Sequence, residues 1–180
     1  MDTAVALLAS YGRIVIGPGL TQRELDRTER EHGFSFADDH RAFLAAGLPQ
    51  GRGWPDWRDS AQVHDRLIAP VEGVLFDVAE NGFWYEGWGA RPPSTGAALT
   101  AARTFLLTAP RLIPLHGHRY LPAGRGTTGH PVLSVMQTDV IVYGNDIEDW
   151  IRREFGGAVG PVGARPTVPF WKDVSSGAAA

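Results

Sequence analysis

The chain is 180 residues long, 43% hydrophobic and without cysteine, which suffices for one self-sufficient core and excludes disulfides, thiolate nucleophiles and cysteine-ligated zinc. Its 17 basic against 20 acidic residues leave a net charge of −3, so no overall positive field draws it to nucleic acid. No run approaches the roughly 20 apolar residues of a spanning helix, and the N-terminus lacks the basic start of a secretory signal, so a cytoplasmic location is expected, without membrane insertion or secretion.

In chain order, residues 3 to 11 predict a short helix stopped by Gly12, and Arg13-Ile14-Val15-Ile16 a small strand. Thr21 and Glu24 have the spacing of a capping box that opens a helix over about 22–32. Little on it is apolar beyond Leu25, and Glu24/Arg27 and Asp26/Arg30 lie at helical spacing, so it reads as a solvated, salt-bridged outer element ended by Gly33. Phe34 and Phe36 pin the next turn, and Asp38 is expected to cap a helix running to Ala46 with Phe43 and Leu44 inward. From Leu48 to about Asp65, glycine, proline and tryptophan predict an ordered loop held by Trp54 and Trp57.

Further on, Val74–Val78 and Phe83–Tyr85 read as two strands around an Asn81-Gly82 turn, Pro92–Thr100 as a loop and Ala101–Leu107 as helical. Residues 112–115 and 118–121 are short strands about Gly117. The clearest strands are 131–136 and 139–143, joined by Gln137-Thr138. Asn145 and Glu148 repeat the capping-box spacing before a helix whose Ile147, Trp150, Ile151 and Phe155 form an apolar stripe. The Gly/Pro/Ala-rich end has Phe170-Trp171 as its anchor and a flexible tail over 172–180. The expected fold is α+β, a mostly antiparallel sheet of about four to six strands, with N-terminal helices and a C-terminal amphipathic helix packed on it.

Chemistry-bearing motifs are sparse. Gly124 to Gly129 matches G-x-G-x-x-G, but a strand follows it where a dinucleotide site needs a helix, so it reads as a hairpin connection. His116 and His118, with His130 and Asp139 downstream, are the one set with metal-ligating residue types, and a metal-binding protein or metal-dependent hydrolase is the competing reading to a plain polar strand junction. Asp38-Asp39 and Glu148-Asp149 stand at helix N-termini, where the macrodipole accounts for them. No serine has a nucleophile-elbow setting.

The densest signal is aromatic: Trp54, Trp57, Trp84 and Trp88 lie in segments full of backbone breakers. Trp84 and Trp88 read first as a buried layer, whereas Trp54 and Trp57, beside Arg52, Asp56, Arg58 and Asp59, have the make-up of interface anchors as much as of core.

The ordered set of pieces resembles the SMI1/KNR4 family, or SUKH superfamily. It comprises the acidic helix with Glu24 and Glu29, Gly33-Phe34, Asp39–Leu44, Phe76-Asp77-Val78, Phe83-Trp84, Trp88-Gly89 with Arg91-Pro92, Leu112–Leu115, His118–Tyr120, Pro131–Val135, Gln137–Gly144, Glu154-Phe155 and Phe170-Trp171. The match spans about 20–171 as one domain, with residues 1–19 outside the pattern, and Ala37 stands where the family often has proline. The likeness is to bacterial members, and implies a protein-binding module without catalytic residues or cofactors, of the kind used as immunity proteins against toxin domains. Fungal relatives regulate cell-wall synthesis, so a regulatory scaffold is a further alternative. The expected contact residues are Trp54, Trp57, Trp88 and Arg91, with His118 and Arg119 behind them.

Overall fold

The computed structural model describes residues 3–175, and its architecture is α+β, as the sequence predicts. The N-terminal part comprises α1 (Thr3–Ser10), β1 (Val15–Gly17), α2 (Gln22–His32), α3 (Asp38–Ala46) and β2 (Leu48–Gln50), with β1 and β2 paired antiparallel. Then come α4 (Ser60–Glu80), α5 (Thr95–Leu106), β3 (Leu112–His116), β4 (Arg119–Pro122), β5 (Val132–Met136), β6 (Asp139–Gly144), α6 (Ile147–Phe155) and α7 (Trp171–Val174). Strands β3 to β6 form one antiparallel meander in sequence order.

Alternation along these strands builds two cores, because successive side chains leave opposite faces of a sheet. Ile113, Leu115, Leu121 and Val132 face α1, α2, α3 and α6 on one side. Leu112, Tyr120, Leu133, Val135 and Val140 face α4, α5 and the Phe170-Trp171 pair on the other. Residues outside the family-like span are part of this body, since Val5 and Leu8 of α1 are buried in the first core.

The largest departure from the sequence reading is α4. Residues 60–65, read as loop, and 74–78, read as a strand, are one continuous helix of 21 residues. Asp59 caps it, accepting the amides of Ala61 and Gln62, and Val63, Pro70, Val74, Leu75 and Val78 form its buried stripe at helical period. Pro70 cannot donate to the carbonyl of Arg66, and the hydroxyl of Tyr120 donates to that carbonyl from the sheet at 3.4 Å. Asn81-Gly82 is therefore no hairpin turn, and Phe83–Tyr85 leads into a single 3-10 turn at Glu86–Trp88. Helix α5 also begins earlier than expected, at a Ser94 cap within the segment read as loop.

Smaller corrections concern charges. Helix α2 is not fully solvated, because Leu25, Thr28 and Glu29 are buried. The carboxylates assigned to pairs within it reach outward instead: Glu24 to Arg58 at 2.8 Å and Asp26 to Arg41 at 2.6 Å. Ala37, not Asp38, is the N-cap of α3, and Asp146, not Asn145, caps α6 by accepting Asp149 N. Residues 172–175 are not a free tail: they complete α7 and set Ser175 beside Val140 in a parallel bridge on β6. The rest of the expected tail, 176–180, lies outside the described residues.

Candidate functional site

Four of the six expected contact residues are inside the protein, the three tryptophans and Arg119. Trp54 is only 6% exposed, with its ring 4.6 Å from His116, stacked on Phe155 at 6.0 Å and edge-on to Trp150 at 5.8 Å. Trp57 is 4% exposed and packs against Phe36 and His40. Trp88 is sandwiched between the near-parallel rings of Phe105 and Phe170. These rings are core, since a ring of this size contributes most when its whole face is removed from water. Arg91 lies at the surface but is committed to structure, donating to the carbonyl of Val78 at 2.8 Å in the last turn of α4, where orphan carbonyls favour a cation.

His118 and Arg119 sit at the turn between β3 and β4. Arg119 is buried, and every group around it fixes its direction. Its Nη1 donates to Ser134 Oγ at 2.9 Å, its Nε to Glu154 Oε2 at 3.2 Å, and its guanidinium carbon lies 3.8 Å above the ring of Tyr143. The second Glu154 oxygen is 3.8 Å from His116 Nδ1. Burial pushes the His116 imidazole below its ordinary range, and Arg119 and Arg66 add to this, while Glu154 and the Arg52 backbone oppose. Desolvation and Arg119 likewise lower His118, which is exposed.

Beside this cluster the sheet is uncovered. Ser134, Met136, Asp139 and Ile141 project toward the α6 side, because their neighbours Val135 and Val140 belong to the opposite core. Helix α6 has nine residues, roughly 14 Å at 1.5 Å each, too short to roof four strands. Met136 is left 57% and Ile141 41% exposed. Tyr143, Arg119 and Glu154 border this apolar patch and His118 stands at its corner. Met136, Ile141, Tyr143 and Glu154 were not among the sequence candidates. The signal that would have found them is the alternation of β6 set against the shortness of α6.

The metal-type set is not gathered. His116 and His118 flank the β3–β4 turn and Asp139 follows the β5–β6 turn, whereas His130 precedes β5 at the other end of the sheet, its Nδ1 2.8 Å from Thr167 Oγ1. Among the described residues no three histidine, aspartate or glutamate side chains form a group that could hold a metal ion.

The glycine-rich loop is filled by the protein's own carboxylates. Gly126 N donates to Asp38 Oδ1 at 3.0 Å and Gly129 N to Asp39 Oδ2 at 2.8 Å, while Gly124 N donates to Ser35 O. Amides that could face a phosphate face fixed negative charge instead. One further set, Ser60, His32 and Glu31, lies between α2 and α4. The Ser60 hydroxyl donates to Glu31, with His32 Nε2 farther away at 3.5 Å, and the first amides of α4 are taken by Asp59. This is a tie between helices and not an activated nucleophile.

Among the described residues no helix is long and apolar enough to cross a membrane. Compared with protein-family models, curated proteins and solved structures, the chain matches none of them.

Proposed function

We propose that this chain is a non-catalytic protein-binding module of SMI1/KNR4 type, an immunity protein that neutralises a bacterial toxin domain by covering part of its surface. The observation that carries this reading is the bare stretch of sheet at Met136 and Ile141 beside the fixed guanidinium of Arg119. An apolar patch with a polar rim is the composition of a docking face, and a prearranged arginine lowers the ordering cost of binding. The tryptophans contribute from within, as Trp54 and Trp150 hold His116 and α6 against the sheet.

The test is calorimetry against any toxin domain that a neighbouring reading frame is found to encode, paired with protection of cells that express it. Ile141→Asp and Met136→Asp should each weaken binding about tenfold or more while the fold is retained. Unchanged affinity in both variants removes this face, and absence of binding and protection by the wild-type chain removes the immunity reading.

A further inference from the structure

Strand β6 is an edge of the sheet, and only its first part is covered. Val135 N donates to the carbonyl of His118 on β4 at 2.9 Å, so at that rung β5 turns its polar groups away from β6, and Val140 opposite turns its own away from β5. Ser175 meets Val140 there in a parallel bridge. Backbone direction repeats every second residue, so the N–H and C=O of Val142 point the same way, and no described residue takes them. Beside them lies a cleft of about 400 Å³, lined by Ile141, Val142, Ser175 and residues 162–166. Asn145 holds its far part in place, as Oδ1 accepts the amides of Gly163 and Ala164 at 2.9 Å. Ser175 is only 4% exposed, yet its buried hydroxyl has no partner among the described residues. The other edge of the sheet is closed: β3 lies against α4 and carries Pro114, which has no N–H to offer.

Taking the chain as a binding module, we infer that its partner adds an extended segment to the sheet along β6, in the cleft beside Val142. An outward N–H and C=O on one strand residue are satisfied together by another extended backbone, whereas a helix has its own groups paired internally. Ser175 already makes one rung of this kind on the same edge, and its unpartnered hydroxyl can donate to an incoming carbonyl. With Val140 taken, the open edge runs from Ile141 to Gly144, so the added segment is short. Its side chains are small or apolar, since Val162, Gly163, Ala164 and Pro166 line the cleft and Arg165 is the one charged residue among them. Ile141 belongs both to this cleft and to the bare patch with Met136, so the strand extends that docking face.

Selection of random linear peptides of about ten residues, enough for one strand, on the immobilised full chain tests this without any toxin. Methylating every second backbone nitrogen of a selected peptide should weaken it about tenfold or more in one register and little in the other. In the free chain the Val142 amide should exchange with solvent about tenfold or more faster than that of Ile141, which faces β5, and should slow when the peptide binds. Val142→Pro removes only an N–H outside the ladder, and Gly163→Trp fills the cleft from a position with nothing within 4 Å of its Cβ. Both, with unaltered far-UV circular dichroism, should bind the peptides about tenfold or more weakly. No selected peptide, peptides that leave Val142 exchange unchanged, or binding unaltered in both variants overturns the inference. So does a Val142 amide as slow as that of Ile141 in the free chain, which would mean that the chain's own residues 176–180 cover the edge. Failure here leaves the face at Met136 and Ile141 standing, whereas peptide capture by a chain that neutralises no toxin keeps the strand addition and removes the immunity reading.

Discussion

His40 occupies a position that ordinary composition rules disfavour. Its ring is fully buried between the edges of Phe36 and Trp57, and neither nitrogen finds a hydrogen-bond partner among the described residues. Burial alone drives its pKa from 6.5 down to about 3. The folded state therefore refuses a proton that the unfolded state accepts, and the sign follows: stability is intact above pH 6.5 and falls as the pH drops from there toward 3. The slope from this one group is about 1.4 kcal/mol per pH unit. Urea unfolding of wild type and His40→Leu between pH 7 and 4 measures it. The variant should lose most of that slope, keeping a remainder from His32, His116 and His118, which desolvation also lowers. Parallel stability curves for the two proteins would show that His40 is not the acid-sensitive group. The same scale shows what was legible in Trp54 and Trp57. Their types and their loop settings were readable, but their direction was not, because the burial of Trp54 is decided by His116, Trp150 and Phe155, all more than sixty positions away.

Elements with strong local punctuation were readable. Helix α2 has its predicted capping box, and the β5–β6 pairing turns at Gln137-Thr138 as expected. Helix α4 failed because its local signals conflict: Pro70, Gly73 and four valines argue against a helix, and the apolar stripe is interrupted by Asp77. That aspartate is buried for a long-range reason, accepting the amide and hydroxyl of Thr138 in the β5–β6 turn at 2.9 and 2.6 Å. Burial pushes its carboxyl up, but these bonds and one from Asn81 outweigh it and hold it below the usual range. Close approach of elements can be tested with two glycines. A Cβ on Gly144 would lie 2.8 Å from Trp150 Cα, in the tight corner where β6 meets α6. Gly144→Ala should cost about 2 kcal/mol or more, since overpacking there has no flexible side chain to absorb it. Gly96, in the first turn of α5, has nothing within 4 Å of its Cβ position, and Gly96→Ala should instead stabilise by about 0.5 kcal/mol. Chemical denaturation of both variants checks the opposite signs, and a harmless Gly144→Ala would mean that β6 and α6 are not so closely joined.

At the scale of the molecule, the sheet is the wall between two cores, and its residues belong alternately to each. Leu121 is wholly buried on the α6 side and Leu133 on the α4–α5 side, in strands that are hydrogen-bonded neighbours. Neither set of helices can leave without uncovering strands that the other set still needs, so the two cores should melt together. Leu121→Ala and Leu133→Ala should each cost about 2–5 kcal/mol and lower one common transition, coincident by far-UV circular dichroism and tryptophan fluorescence. Fluorescence reports both sides, because Trp54, Trp57 and Trp150 lie in one core and Trp88 and Trp171 in the other. Two separable transitions, each shifted by only one of the substitutions, would mean that the layers fold independently. A single transition has a consequence for binding as well. Met136 and Ile141 then stand on strands whose other face is locked by Val135 and Val140, so a partner at the proposed face would meet a surface already in its bound shape.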